Sequence, residues 1–239
     1  MTIDKILNTT DHRSWAMPQG KWKFYQEWNN VIFLHWEVEL YELEKVIPEH
    51  LEIDLYKGKP WVSLVAFTME KVRPRYLPSF SPISNFDEVN IRTYVKSNNK
   101  PGVYFLSIEG GKRLSCELAK QISGLPYQHS NIKRSKTYFE SKNSINGDIL
   151  KMDFSIRDDV NYKTSLDKWL TERYALFQNS KESINEFDIH HMEWPINNID
   201  LNELDFRYQK FGKLLNSKPN KMQYSKGLKV LAWGKKKGS

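Results

Sequence analysis

Hydrophobic and polar residues alternate with a period of two along several stretches of the chain, which is the pattern of a β-strand with one buried face. In residues 31–40, Ile32, Leu34 and Trp36 share one face while Phe33 and His35 share the other, which predicts a half-buried strand. Residues 61–69 are apolar or small on both faces, which favours a central strand covered on each side. Further strands are predicted at residues 86–95, 103–108, 127–134, 150–156, 189–194 and 228–233.

Helices are predicted where apolar residues recur every three or four positions. In residues 114–123, Leu114, Leu118 and Ile122 recur at four-residue steps, and Gly124 follows as a C-terminal cap. Other helices are predicted at residues 41–51, 165–177 and 201–211. Many strands with a few scattered helices predict an α+β fold, mainly β, with a closed or nearly closed sheet. No repeat or linker divides the chain, so residues 1–239 are predicted to form a single domain.

Composition narrows the class of protein. Aromatic residues make up 13% of the chain, enough to fill a large core or to wall a cavity. Cys116 is the single cysteine, so it forms no internal disulfide, favours a reducing compartment and is interpreted as a packing residue. No stretch reaches the roughly 18 uninterrupted apolar residues of a membrane span, and the first residues do not resemble a signal peptide. We therefore expect a cytoplasmic protein with no membrane partner.

The formal net charge of +7 raises the question of nucleic-acid binding, because clustered Lys and Arg bind phosphates. The cations are scattered, and the one clear run is Lys235, Lys236 and Lys237. We interpret residues 235–239 as a flexible, solvated basic tail. No nucleic-acid partner is expected.

Candidate chemistry is concentrated on the predicted strand at residues 86–95. Glu88, Asn90 and Arg92 share one face of this strand, opposite an apolar face. Two interpretations are open. The face is either a solvated sheet surface with an ordinary carboxylate–guanidinium pair, or the wall of an interior cavity. In the second case Glu88 is a candidate acid or base and Arg92 a candidate anchor for a carboxylate.

The histidines support no metal site. His35 and His129 are candidates for ligand binding, because histidine titrates near neutral pH, although a lone histidine is more often a hydrogen-bonded structural residue. His190 and His191 are adjacent, so on a strand their rings point to opposite faces and cannot chelate one metal. No nucleophile elbow, phosphate-binding loop or zinc-protease motif is present. No metal or other cofactor is predicted.

Several segments together resemble the YqjF-like family of uncharacterised conserved proteins, DUF2071, along nearly the whole chain. They are FLHW at 33–36, IPEHL at 47–51, PWVSLV at 60–65, VRPR at 72–75, EVNIRTYV at 88–95, GLPY at 124–127, LTERY at 170–174, HH at 190–191, WP at 194–195, YS at 224–225 and VLAW at 230–233. That family is similar in fold to acetoacetate decarboxylase. The resemblance implies a closed or cone-like antiparallel β barrel with flanking helices and a ligand cavity inside it.

The same resemblance implies that the catalytic lysine of the decarboxylases is absent. In those enzymes a lysine directly after a glycine/aromatic/proline turn forms a Schiff base with the keto acid. The equivalent turn here is GLP at 124–126, and Tyr127 and Gln128 follow it. The decarboxylase glutamate on the polar strand corresponds to Glu88. Lysine Schiff-base decarboxylation of acetoacetate is therefore not expected.

Two hypotheses for function remain. In the first, the chain binds a small polar or carboxylate-bearing organic ligand in the barrel cavity, with Glu88 and Tyr127 as catalytic candidates if it is an enzyme. The candidates for ligand binding are then Arg92, Asn90, His129, Gln128 and His35. In the alternative, the chain is a non-catalytic binding or protein-interaction module that retains only the fold. Whether the chain is an enzyme, and whether it forms a homo-oligomer, are left open.

Overall fold

The computed structural model describes residues 2–179 and 184–237, and most of the regular structure in them is β-sheet. The helices are α1 (Ile3–Asn8), α2 (Leu40–Glu44), α3 (Ser81–Ser84), α4 (Arg113–Ser123), α5 (Ser165–Thr171) and a 3₁₀ helix (Gln209–Phe211). The strands are β1 (Phe24–Glu37), β2 (Glu52–Ile53), β3 (Trp61–Pro74), β4 (Phe86–Ser97), β5 (Lys100–Gly110), β6 (Tyr127–His129), β7 (Asn131–Arg134), β8 (Tyr138–Lys142), β9 (Ile149–Asp159), β10 (Ala175–Asn179), β11 (Ile184–His190), β12 (Asn197–Arg207), β13 (Lys221–Ala232) and β14 (Lys236–Lys237). The predicted α+β class, mainly β, is confirmed.

Seven strands close into a ring that is not evenly round an axis. The order is β11, β10, β5, β4, β3, β1 and β13, and β13 returns to β11 through the pairs Ile189↔Ala232 and His190↔Leu231. Neighbours in the ring are antiparallel except β10, which runs parallel to β5. The predicted closed sheet is therefore present.

A second layer covers the outer face of the ring. From β13 the sheet continues through β12, β9, β8 and β7, and Leu150, Met152 and Phe154 of β9 join one hydrophobic cluster with Ile32 and Leu34 of β1. The opposite face of β1 packs into a second cluster inside the ring. Residues 31–36 are consequently buried on both faces, and the prediction that this strand is half-buried is wrong.

Two predicted helices are wholly or partly replaced by strands. The helix predicted at residues 165–177 ends at Thr171, and Ala175–Asn179 forms β10. The helix predicted at residues 201–211 is mostly β12, followed by the short 3₁₀ helix. A register shift between Leu201 and Glu203 changes which face the later side chains occupy. This bulge converts strict alternation into the spacing of Leu201 and Leu204, which imitates a helical period.

Several predicted bounds also change. The helix predicted at 41–51 is the five-residue α2, and the strand predicted at 189–194 is β11, which ends at His190. Lys236–Lys237 pairs with β11 as β14, so this part of the predicted tail is a strand, while residues 238–239 lie outside the described residues. In the described part of the chain, every helix is too short or too polar to cross a bilayer.

Candidate functional site

A cavity of about 640 Å³ lies inside the ring of strands. Apolar side chains of β1, β3, β4, β5 and α4 form most of its wall, among them Phe33, Val65, Phe67, Phe86 and Phe105. These side chains face inward because the second layer of sheet already occupies the opposite face of β1, β3 and β4. The fold thus encloses a volume of the size that small-molecule sites use.

The polar face of β4 lines this cavity. Glu88, Asn90 and Arg92 alternate along the strand and are only 3%, 2% and 8% exposed. The interpretation of this face as a solvated sheet surface is therefore wrong, and the interpretation as a cavity wall is correct. That these residues act on a ligand stays a prediction.

Glu88 and Tyr127 form a hydrogen-bonded pair. The Tyr127 hydroxyl donates to Glu88 Oε2 at 2.8 Å, and Asn90 Nδ2 donates to Glu88 Oε1 at 3.0 Å. Tyr127 reaches this position because Gly124 ends α4 in the left-handed conformation, with φ of 75°, and β6 then pairs in parallel with β5. The loop that the resemblance singled out therefore carries a phenol to the cavity.

Burial raises the pKa of Glu88 to about 7, even though hydrogen bonds from Asn90 and Tyr127 and the charge of Arg92 act to lower it. Desolvation destabilises the carboxylate more than these three groups stabilise it. Burial and the neighbouring Glu88 charge also raise the pKa of the Tyr127 phenol well above its usual value. Near neutral pH the Glu88 carboxyl can therefore gain or lose a proton, whereas the Tyr127 phenol stays protonated.

Arg92 is a buried cation without an ion-pair partner in the described residues. Its Nε has no hydrogen-bond partner, and its guanidinium lies 5.8 Å from the centre of the Phe33 ring. Oδ1 of the adjacent Asn90 is also without a partner. Burial lowers the pKa of Arg92, with Tyr94 and the Glu88 charge opposing that effect. One donor and one acceptor are thus unsatisfied on the same cavity wall.

A second guanidinium was missed by sequence reasoning. Arg173 lines the same cavity, where its Nη1 donates to Asp54 at 2.7 Å and its Nε donates to the Trp169 carbonyl at 2.7 Å. Its Nη2 has no partner. Burial lowers the pKa of Arg173, and the charge of Arg92 adds to this effect. Sequence reasoning placed Arg173 in a continuous helix over 165–177 and so did not consider it as a cavity residue. Its position in the segment LTERY, one of those that carry the family resemblance, could have identified it.

His191 also lines the cavity, beside Trp194. Its Nδ1 lies 2.7 Å from the carbonyl of Met192, and burial lowers its pKa. His190 lies elsewhere, with Nε2 at 2.7 Å from the Ile6 carbonyl. The two rings thus bond to different carbonyls, although both lie against the ring of Tyr174.

Three predicted ligand-binding residues lie away from the cavity wall as the described residues define it. His35 is fully buried between Ser63 (2.6 Å) and Gln223 (3.2 Å), and burial lowers its pKa to about 3. Gln128 Oε1 accepts hydrogen bonds from the side chains of two asparagines in the loop at 143–146. His129 follows Gln128 on β6, opposite Gly110 of β5. The structure does not bring Gln128 or His129 to Glu88 and Arg92, whereas His35 lies close enough to Arg92 for that charge to help lower the His35 pKa, and its partner Ser63 is paired with Arg92 across β3 and β4.

Other candidate chemistry in the described residues is limited. No group of three or more His, Cys, Asp or Glu side chains there is arranged to hold a metal ion. Cys116 is buried, with Sγ 3.5 Å from the Gly110 carbonyl, which agrees with a packing role. Among the described residues, Lys235 is the one lysine on the cavity wall, and it is exposed at the surface end.

Comparisons with known proteins agree with this architecture. The chain is 32% identical over 241 residues to the uncharacterized protein YqjF of Bacillus subtilis (strain 168), which covers 94% of this chain and 96% of that protein. An acetoacetate decarboxylase-like enzyme from Sphingomonas wittichii RW1 superposes with a TM-score of 0.60 at 12% identity, covering 94% of this chain and 98% of that chain.

Two further solved structures share the fold. Acetoacetate decarboxylase from Legionella pneumophila gives a TM-score of 0.59 at 12% identity, covering 96% of this chain and 94% of that one. The enduracididine biosynthesis enzyme MppR, complexed with pyruvate, gives 0.59 at 14% identity, covering 95% and 93%. Such low identities establish the fold alone, and the predicted acetoacetate decarboxylase-like fold is confirmed. Residues 25–229 match the model of the DUF2071 family, described as an uncharacterized conserved protein, and the chain belongs to that family.

Proposed function

We propose that the cavity binds a small organic carboxylate through Arg92. The observation that carries this proposal is a buried guanidinium with a free Nε and no ion pair among the described residues, set in a mostly apolar wall. Glu88 is only partly ionised at neutral pH and neutralises Arg92 incompletely, and a buried charge that lacks a full counterion is unfavourable. A bound carboxylate would neutralise Arg92 and accept its unsatisfied hydrogen bond.

Glu88 and Tyr127 are then placed to act on the bound ligand. A carboxyl with a pKa of about 7 serves equally as proton donor and acceptor at neutral pH. The Tyr127 hydroxyl, 2.8 Å from Glu88, can turn to donate to oxygen on the ligand. The proposed chemistry is proton transfer at an atom near the ligand carboxylate, without a Schiff base.

Keto and hydroxy acids are the first probes to use. MppR, which shares this fold, has been solved in complex with pyruvate, and this motivates the choice without assigning the ligand here. Calorimetric titration of each acid should find binders whose affinity falls at least about 30-fold in Arg92→Met, since truncating a buried charged partner costs about 2–5 kcal/mol. Arg157→Met is the matched control, because Arg157 is exposed and pairs with Asp200.

Proton linkage tests the role of Glu88 separately. A carboxylate bound beside Arg92 adds negative charge near Glu88 and raises its pKa further. Binding at pH 7 should therefore take up a fraction of a proton, seen when titrations are repeated in buffers of different ionisation enthalpy, and Glu88→Gln should abolish the uptake. Equal affinity in wild type and Arg92→Met would overturn the binding proposal. Binding without proton uptake would remove Glu88 from the chemistry.

A further inference from the structure

Buried polar side chains form one part of the cavity wall, and the remainder of the wall is mostly apolar. Glu88, Asn90, Arg92 and Arg173 are all buried. Beyond Glu88 along β4, Phe86 lines the cavity, as do apolar side chains of the neighbouring strand β3. Since the polar atoms lie together on one part of the wall, they can engage only one part of a ligand.

The strand register measures how far the cavity extends from Arg92. Arg92 is paired with Ser63 of β3, whereas Phe86 is paired with Met69. Six residues separate the two pairs, and a strand rises about 3.3 Å per residue, so the backbone at Phe86 and Met69 lies roughly 20 Å from that at Arg92. Along this stretch the wall is polar on β4, at Asn90 and Glu88, and apolar on β3, at Val65 and Phe67. Val72 extends the same apolar wall towards the surface.

The surface end of this wall exposes large apolar side chains. Leu77 and Phe80, which follow β3, are 59% and 63% exposed, and Ile122 of α4 is 62% exposed. All three also line the cavity. Adjoining exposed apolar side chains that continue into an apolar cavity are typical of a ligand-binding mouth.

The volume is far larger than a keto acid of three or four carbons requires. A carboxylate held only by Arg92 would leave most of the 640 Å³ unfilled. Apolar space of this kind offers water few hydrogen-bond partners. A ligand with an apolar body would displace that water and gain free energy from each buried methylene.

We infer, on the basis of the proposed function, that the ligand is an amphipathic carboxylate whose head lies at Arg92 and whose long apolar body follows β3 and β4 to the mouth at Leu77, Phe80 and Ile122. Arg173 lies close enough to Arg92 for their charges to interact. Arg173 also lines the cavity and its Nη2 has no hydrogen-bond partner, so it would supply a second donor to the head group. The ligand class is thus a fatty or arylalkyl acid rather than a short keto acid.

Chain length is the variable that tests this inference. Titrations with butanoate, octanoate, dodecanoate and hexadecanoate, each below its micellar concentration, can be followed by the fluorescence of Trp28 and Trp194, which line the cavity. Each added methylene should lower Kd about 4-fold until the wall is filled. The methyl esters, which lack the anionic head, should bind at least about 30-fold more weakly than the acids.

A wall-filling variant localises the apolar body. Ala119 lies one turn before Ile122 on α4 and lines the cavity, so Ala119→Trp should weaken hexadecanoate at least 10-fold and leave butanoate unchanged. Lys120→Trp is the matched control, because Lys120 is exposed and off the wall. Short acids that bind through Arg92 with no gain from longer chains would overturn this inference and leave the proposed function standing. Esters that bind as tightly as acids would overturn the proposed function itself.

Discussion

Glu88 shows how the cavity sets the chemistry of a single residue. Three neighbouring groups favour its ionised form: Asn90 and Tyr127 by hydrogen bonds and Arg92 by its charge. Burial outweighs all three and raises the pKa of Glu88 to about 7. The cavity therefore keeps part of its Glu88 population protonated at neutral pH, and this has a measurable effect on stability.

The Glu88 carboxyl should make the protein less stable as pH rises. Its pKa is about 7 in the folded chain against an ordinary value of 4.5, so the folded state binds the proton more tightly. The stabilisation from this proton is complete below about pH 4.5 and is lost as pH rises through about 7, a change of roughly 3 kcal/mol. Urea unfolding of wild type and Glu88→Gln at pH 4.5 to 8.5 measures it.

The difference in unfolding free energy between wild type and Glu88→Gln separates the effect of Glu88 from that of the other titrating residues. At pH 4.5 the protonated Glu88 and a glutamine are similar in shape and charge, so the two stabilities should be close. Above pH 7 the variant should be the more stable. A difference that does not change with pH would mean that Glu88 titrates at its ordinary pKa and that its desolvation is small.

The candidate site was only partly predictable from the sequence at this scale. Alternation placed Glu88, Asn90 and Arg92 on one face, and the resemblance directed attention to Tyr127. Alternation cannot say which side chains of a cavity-facing strand reach the cavity itself, and for that reason His35 also became a candidate: it lies on the same face of β1 as the cavity-lining Phe33 but is enclosed by Ser63 and Gln223. Burial of a charged side chain is a property of the tertiary fold, and a local pattern does not contain it.

At the scale of elements, long stretches with an undisturbed period were predicted correctly. Strands β3 and β4 and helix α4 are all present where the pattern places them. The errors arise where the period is interrupted. The bulge in β12 imitates a helix, and the apolar residues after α5 belong to a new strand that begins at Ala175. Strand β10 pairs with β5, more than seventy residues earlier, and such a distant partner leaves no trace in local periodicity.

The junction of β5 and β10 depends on the small size of Gly102. A Cβ at this position would lie 2.6 Å from the Ala175 carbonyl oxygen and 2.7 Å from the Phe177 ring. Gly102→Ala should therefore force the two strands apart and destabilise the protein by about 2 kcal/mol or more, as overpacking does. Urea denaturation measures the loss, and hydrogen exchange of the β10 amides should accelerate.

Gly212→Ala provides the comparison for this prediction. A Cβ at Gly212 would meet its nearest neighbours at 3.6 Å, an ordinary contact, and its φ of −60° suits any residue. It should change stability by less than about 0.5 kcal/mol. Equal destabilisation by the two substitutions would show that the close approach of β5 and β10 is not what limits the size of residue 102.

At the scale of the whole molecule, the cavity exists because the ring of strands closes. The closure rests on β11, which pairs with β10 along five residue pairs and with β13 along only two. The described C-terminal strand β14 adds two more pairs on β11. The β11–β13 junction, like the β5–β10 junction with its two pairs, is therefore among the most thinly hydrogen-bonded parts of the ring, and side-chain contacts there should matter disproportionately.

Asp188 on β11 is the side chain that joins these elements. It is 1% exposed and pairs with Lys100 of β5 and with Lys236 of β14, the latter at 2.8 Å. Although burial acts to raise it, hydrogen bonds from the two lysines lower the pKa of Asp188. The Asp188 carboxylate thus connects three strands, β5, β11 and β14.

Asp188→Asn should weaken the closure of the whole ring. The substitution leaves two lysines without their buried partner, and we expect a loss of roughly 2 kcal/mol or more, below the roughly 3–5 kcal/mol of a fully buried pair because Lys100 retains Glu186. Asp200→Asn is the control, since its pair with Arg157 is 2.6 Å long but more than half exposed, and such pairs contribute about 0–1 kcal/mol. Urea unfolding compares the two, and amide exchange in β11 and β13 should accelerate only in Asp188→Asn. If the two substitutions lower the free energy of unfolding equally, the backbone pairs of β11 with β10 and β13 are sufficient to close the ring, and Asp188 is not needed to hold the cavity.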